Sequence, residues 1–200
     1  VIGGLMEHIE PAGIHSGDSA CCLPSVSLGD EALATIRSWT KALALRLQVQ
    51  GLINLQFAVQ RTALGEERVF IIEANPRASR TVPFVAKATG VPLARIATRL
   101  MAGEILADIG LSQEPSPPLQ AVKEAVLPFR RFPGADSLLG PEMRSTGEVM
   151  GWAPHFGMAY AKAELAAGEA LPTKGNVFLS THDRDKQALV PVAKRLLDLG

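Results

Sequence analysis

The chain has 200 residues, with 20 Lys and Arg against 20 Asp and Glu, a formal net charge of zero, 47% hydrophobic and 20% charged residues. That composition suits a globular chain able to bury one sizeable core with room for a second, smaller unit. Zero net charge argues against binding a nucleic-acid backbone, which needs a basic face, and no apolar run is long enough to span a bilayer.

Taken in chain order, residues 1–10 are expected to form a strand that ends in charge at Glu7, His8 and Glu10, followed by a polar, Gly-containing loop over 11–19. Cys21 and Cys22 are adjacent, and neighbouring residues rarely reach disulfide geometry, so both are expected to be buried and reduced, as in a reducing compartment. Ser27-x-x-Asp30 resembles a capping box. After it Leu33, Ile36, Trp39 or Thr40, Leu43 and Leu47 recur at helical spacing, which predicts an amphipathic helix whose apolar stripe belongs in the core.

Residues 52–60 and 68–75 show period-2 patterning and flank a charged, Gly-containing tip at 62–67, which predicts a β-hairpin. Two short helices follow at 82–89 and 93–103, broken at Gly90-Val91-Pro92, because proline cannot continue the first but is tolerated at the start of the second. Residues 112–118 read as an extended linker and 121–127 as a strand. The Gly- and Pro-rich stretch 129–151 is compatible with an ordered loop or with short strands. Residues 156–167 read as a helix and 168–175 as a domain boundary. A strand at 177–180 and a helix at 185–199 then begin a new α/β unit. Val1 opens in an apolar run and the C-terminus stops as a helix does, so the chain is expected to be cut from a longer one.

The hairpin carries the sharpest chemistry. Alternation puts Asn54, Gln56 and Ala58 on one face of its first strand and Ile71, Glu73 and Asn75 on one face of the second. Pairing Gln56 with Glu73 centres the turn between Leu64 and Gly65, so an antiparallel register gathers Gln56, Glu73 and Asn75, while Leu55, Phe57, Val59, Phe70 and Ile72 are expected in the core. One carboxylate between two carboxamides offers oxygen ligands of the kind Mg2+ takes when it is shared with substrate phosphates. Arg77 and Arg80 follow at once, with forks suited to phosphate or carboxylate oxygens. Metal ligands beside arginines are what phosphoryl transfer requires. The plainer reading makes Glu73 and Arg77 solvated charges at a strand end.

The run IIEANPRASRTVPFVAKATGVPLA, preceded by MEHIEPAGIHSGDSA and followed by GPEMRSTGEVMG, resembles the ATP-grasp signature of carbamoyl phosphate synthetase large chains. Glu-x-Asn-x-Arg is widespread among ATP-grasp enzymes; the continuation from Ala78 to Phe84 is much more specific. The resemblance covers residues 1 to about 168 and points to the second half of the large chain, which phosphorylates carbamate. It implies an α/β architecture (an α+β ATP-grasp with an antiparallel sheet and flanking helices) over 1–168, with 169–200 beginning a methylglyoxal-synthase-like, Rossmann-like allosteric domain.

The resemblance also implies roles. Gln56, Glu73 and Asn75 match Mg2+ or Mn2+ ligands; Gly13, Ile14, His15 and Ser16 match an ATP-contacting loop, with Gln56 and Glu73 also against the nucleotide. Arg77 and Arg80 match arginines near the transferred phosphate. Glu10, Asp18, Glu124 and Leu127 match an ornithine-activator pocket, Lys186 matches a lysine of a nucleotide-effector site, and K+ is implied near His8. The intact parent is then expected to be a cytoplasmic ligase. It would make carbamoyl phosphate from glutamine, bicarbonate and two ATP for arginine and pyrimidine synthesis, together with a small glutaminase subunit and as a possible oligomer. Two rival readings are another ATP-grasp carboxylase or ligase, such as a biotin carboxylase, and a non-catalytic effector-binding module. The chain alone is expected to be inactive, marginally stable and to expose apolar surface.

Overall fold

The computed structural model describes residues 1–169 and 172–199. Ala170 and Leu171, inside the stretch 168–175 read as a boundary, lie outside the described residues, as does Gly200. The first compact unit is Val1–Glu169; a second contains the described residues 172–199.

The first unit contains, in order, β1 (Glu7–His8), β2 (Cys21–Leu23), α1 (Asp30–Arg46), β3 (Asn54–Arg61), β4 (Glu67–Asn75), α2 (Thr81–Thr89), α3 (Leu93–Met101), α4 (Leu106–Ile109), β5 (Gln120–Val126), β6 (Gly147–Ala153) and α5 (Phe156–Ala167). Four strands pair antiparallel in the order β1-β2-β5-β6, and β3 pairs antiparallel with β4 in a separate sheet. The larger sheet is covered on both faces. Leu23 and Ala121 pack on Phe84, Val85 and Ala88 of α2 and Leu93 of α3. Cys22, Val122 and Ala153 pack on Ala159 and Ala163 of α5. Alternate residues of β2 and β5 therefore serve opposite layers, and β5 is buried along most of its length. Both cysteines are free and buried, and burial pushes their thiols up to about 12 (Cys21) and about 11 (Cys22), so they stay protonated.

Several expectations need correction. Only Glu7–His8 of residues 1–10 is strand, because β2, its partner, is itself three residues long. The capping box does not form: Gly29 caps α1 with no side-chain hydrogen bond. The Glu7 carboxylate captures Ser27 instead, accepting from the Ser25 hydroxyl (2.7 Å), the Val26 N–H (2.8 Å), the Ser27 N–H (2.9 Å) and the Ser27 hydroxyl. Leu47 lies just past α1 and is exposed, and the buried face of the helix is Ala32 and Ile36. Phe70 and Ile72 are not core; they are 50% and 54% exposed. A one-residue register shift after Gln56 pairs Phe57 with Ile71 and Ala58 with Phe70, so simple alternation fails across it. The helix break comes as expected, with Gly90 in the left-handed region at φ 74° closing α2. Helix α4 is unanticipated. The 129–151 stretch holds one 3-10 turn (Phe129–Arg131), irregular backbone, and then β6.

In the second unit, the strand expected at 177–180 does not form among the described residues, since no neighbouring strand is there to pair with it, and Phe178 is 90% exposed. A 3-10 turn (Asp183–Asp185) leads into α6 (Lys186–Asp198). Among the described residues, no helix is long and apolar enough to cross a membrane.

Candidate functional site

Strand β3 and strand β4 pair Asn54 with Asn75 and Gln56 with Glu73, the register read from the sequence. The shift of register begins only beyond this pair, so the polar end of the hairpin stays in phase. One carboxylate oxygen, Glu73 Oε1, accepts from Gln56 Nε2 at 2.7 Å and from Asn75 Nδ2 at 2.8 Å. Gln56 Nε2 also donates to Ser16 Oγ at 3.1 Å, which joins the hairpin to the 13–16 loop. Gly13, Ile14, His15, Ser16, Gln56, Glu73, Asn75 and Arg77 all line one open cleft of about 1790 Å³.

Asn54 completes this face in a role that the sequence reading did not give it. Its Nδ2 donates to Ser79 Oγ (3.1 Å) and lies 3.4 Å from Thr81 Oγ1, and the Ser79 hydroxyl donates to Thr81 Oγ1 at 2.8 Å. The hairpin thus anchors the short link from β4 to α2, which carries both arginines. The signal in the sequence is the Asn-x-Gln spacing, which puts Asn54 beside Gln56. Arg77 is exposed and donates to the Ala78 carbonyl at 3.0 Å. Arg80 precedes α2 and donates to Ser145 Oγ at 3.3 Å.

The chemistry of the donor set suits a divalent cation shared with phosphate. A carboxamide carries a donor and an acceptor on one planar group, so amides that converge to donate to an acid can equally present carbonyl oxygens to a cation there. Among the described residues, no cluster of three His, Cys, Asp or Glu is placed to hold a metal. With a single acid, this set matches an ion whose remaining ligands come from a triphosphate and water better than a closed structural site.

The residues assigned to an effector pocket behave differently from one another. Glu124, on β5, is 9% exposed; its Oε1 accepts from the Ala125 N–H at 2.9 Å and its buried Oε2 has no hydrogen-bond partner. Burial, with help from Glu164 and Glu10, raises its carboxyl to about 7 against the opposing pull of Lys123. Burial also raises Glu10, although its Oε2 accepts from the Ala20 N–H at 2.7 Å. Asp18 is 1% exposed, and both of its oxygens are engaged by backbone: Oδ2 by the Arg144 N–H at 2.7 Å and Oδ1 by the Ser145 N–H at 2.8 Å. Burial alone would raise it, but hydrogen bonds from the Ser145 side chain and from the Ser145 and Arg144 N–H groups, with the nearby His15, outweigh burial and hold it low. Leu127 is half-buried just after β5. His8 is held low by burial and by the nearby Lys123 charge. Lys123 itself, unmarked in the sequence reading, is buried and reaches the Ser16 carbonyl at 3.3 Å. In the second unit Lys186 opens α6, exposed, with its Nζ 2.6 Å from Asp183 Oδ1.

An antiparallel sheet with flanking helices, and an acid–amide cluster on a hairpin facing a cleft, define part of an ATP-grasp domain. The fold agrees with the biotin carboxylase subunit of pyruvate carboxylase (TM-score 0.54, 14% identity, 80% of this chain and 44% of that one). It also agrees with a single-chain, multi-domain long-chain acyl-CoA carboxylase (TM-score 0.57, 17% identity, 75% of this chain and 19% of that one). At such identities the likeness is one of fold. Within that class, the chain belongs to the family described as carbamoyl-phosphate synthase L chain, ATP binding domain, which matches residues 1–109. Carbamoyl phosphate synthase large chains of Nostoc sp. and Synechocystis sp. are each 62% identical to it over 200 residues, and that of Acidobacterium capsulatum is 56% identical over 211 aligned positions. All of this chain is covered in each case, and it spans 18% of the length of those relatives.

Proposed function

We propose that this chain is the metal- and phosphate-handling part of the ATP-grasp site that phosphorylates carbamate within a carbamoyl phosphate synthase large chain. The observation that carries the reading is the convergence of Gln56 and Asn75 on one oxygen of Glu73, next to Ser16, in a cleft also lined by Arg77. In the reaction a carbamate oxygen attacks the γ-phosphorus of ATP. The new O–P bond forms as the bond to the β-phosphate oxygen breaks, giving carbamoyl phosphate and ADP. Gln56, Glu73 and Asn75 would hold Mg2+ or Mn2+, which supplies positive charge against the phosphate oxygens. The 13–16 loop borders the same cleft and would contact the nucleotide. Arg77, which lines the cleft, and Arg80, which does not line it and is held at Ser145, would supply guanidinium groups to meet charge on the transferring group. No protein nucleophile is required.

The wider assignments rest on the same family. Residues 1–168 would be the ATP-grasp part and 169–200 the start of the allosteric domain. Ammonia would come from a small glutaminase subunit, in a cytoplasmic enzyme serving arginine and pyrimidine synthesis. Glu10, Asp18, Glu124 and Leu127 are the candidates for an ornithine pocket, with K+ near His8 and a nucleotide effector near Lys186. Asp18 would also brace that region, since each of its oxygens accepts a backbone N–H from Arg144 or Ser145.

The decisive test uses the complete large chain. Glu73→Ala and Asn75→Ala should each lower ATP formation from ADP and carbamoyl phosphate, the reverse of the proposed step, by about a hundredfold or more. Variants that make ATP at the parental rate would refute the site assignment.

A further inference from the structure

The stretch from Gly140 to Thr146 supplies no ligand and no charge to the chemistry above, yet it grips the nucleotide-side loop at several points. The Gly140 carbonyl accepts from the His15 N–H at 2.8 Å. Met143 lies over Gly17 so closely that a β-carbon there would come 3.0 Å from its sulfur. Asp18 spans back from the loop and takes the Arg144 and Ser145 N–H groups with its two oxygens. This bridging fixes the Ser145 backbone, and the buried Ser145 hydroxyl, itself within hydrogen-bonding reach of the Asp18 carboxylate, has two further partners. It donates to the Gly17 carbonyl at 3.0 Å and accepts from Arg80 Nη1 at 3.3 Å. A hydroxyl has one proton to give and lone pairs to receive, so the Arg80 contact is met whichever acceptor, the Gly17 carbonyl or the Asp18 carboxylate, takes the proton.

We propose that Ser145 is a positioning residue: held in place by Asp18, it ties Arg80 to the 13–17 loop, so that the arginine and the nucleotide-side loop keep one fixed separation. This rests on the site reading above and deepens it. It gives Asp18 a part in the scaffold of the catalytic site, where each of its oxygens accepts a backbone N–H, and it gives the Gly140–Thr146 stretch a function. An exposed arginine without such a tether samples many rotamers, and small misplacements of charge at a transferring phosphoryl group are costly.

The test again uses the complete large chain and follows ATP formation from ADP and carbamoyl phosphate. Ser145→Ala should lower kcat roughly tenfold, with little change in KM for ADP and in melting temperature. Ser145→Thr, which keeps the hydroxyl, should recover most of the rate. In an Arg80→Gln background, Ser145→Ala should cost less than a further twofold, because the group it positions is gone. The proposal is overturned if Ser145→Ala turns over at the parental rate, if Ser145→Thr recovers nothing while melting normally, or if the loss recurs in full on top of Arg80→Gln. An Arg80→Gln chain with undiminished rate would overturn the role of the arginine itself and, with it, the tether.

Discussion

Glu124 shows at the scale of one side chain how burial turns an ordinary acid into a pH-sensitive group. Burial with Oε2 unpartnered, and the like charge of Glu164 and Glu10, outweigh the Ala125 N–H and Lys123, and raise the carboxyl from 4.5 to about 7. Between those values the folded chain holds a proton that the unfolded chain has released. Stability therefore falls as pH rises through that window and levels off above about 7. The shift corresponds to a loss of about 3 kcal/mol across the window. Asp18 and Glu7 shift the opposite way, and their contributions are lost only as pH falls below the ordinary carboxylate range. Urea unfolding of the chain at pH 5 and pH 8, followed by tryptophan fluorescence, should show Glu124→Gln to be less sensitive to this pH change than the parent. Equal sensitivity would mean that Glu124 is ionised in the fold throughout. His15 is legible at this scale too: its Nδ1 accepts from the Gly17 N–H at 3.0 Å, so the loop fixes the ring's orientation before any ligand arrives.

Between elements, the tightest contact is that of β6 on α5. A β-carbon at Gly151 would lie 1.9 Å from the Ala159 carbonyl oxygen and 2.6 Å from the Ala163 nitrogen, both backbone atoms of the helix. The interface is built from small residues, with Ala153, Ala159 and Ala163 all fully buried. Gly151→Ala should destabilise the chain by about 3 kcal/mol or more, since backbone cannot rotate out of the way as a side chain can. A thermal shift of only a degree or two would show that the helix slides freely. Nothing in the sequence marked Gly151, because a close approach between elements leaves no local pattern. What was legible was local: the Gly90 stop, the α5 span, and the Gln56–Glu73 register, which the turn midpoint fixes. The failures all involve partners distant in sequence. Ser27 looked like a cap, but Glu7, twenty residues earlier, claims it. Residues 177–180 looked like a strand, but no second strand is there to receive their hydrogen bonds among the described residues. The bulge after Gln56 was invisible to period-2 counting, which assumes an unbroken ladder. The convergence of Gln56, Glu73 and Asn75 was legible because all three lie on the in-phase side of the bulge; the contacts of Ser145, Lys123 and Asn54 were not, since each depends on a chain crossing.

For the first unit as a whole, the hairpin that carries the site is also its least supported part. A two-stranded sheet is marginal alone and gains stability by packing on something else. Here α1 lies against β3 and β4, yet Phe70, Ile71 and Ile72 of β4 remain between 45% and 54% exposed. Three large apolar residues half in water on one strand are apolar surface that a chain on its own has reason to hide. The 200-residue chain alone should therefore self-associate at micromolar concentrations and bind hydrophobic dyes. Phe70→Lys with Ile72→Lys should reduce both, while leaving the melting of the larger sheet, whose core is elsewhere, nearly unchanged. Sedimentation velocity decides it: a parent chain that stays monomeric across that range and melts in one sharp transition would show that the hairpin is stable as it stands. The same argument sets an expectation for catalysis. If the hairpin is held firmly only when its apolar face is covered, Gln56, Glu73 and Asn75 keep their convergence only then, and the chain alone should show no measurable ATP turnover.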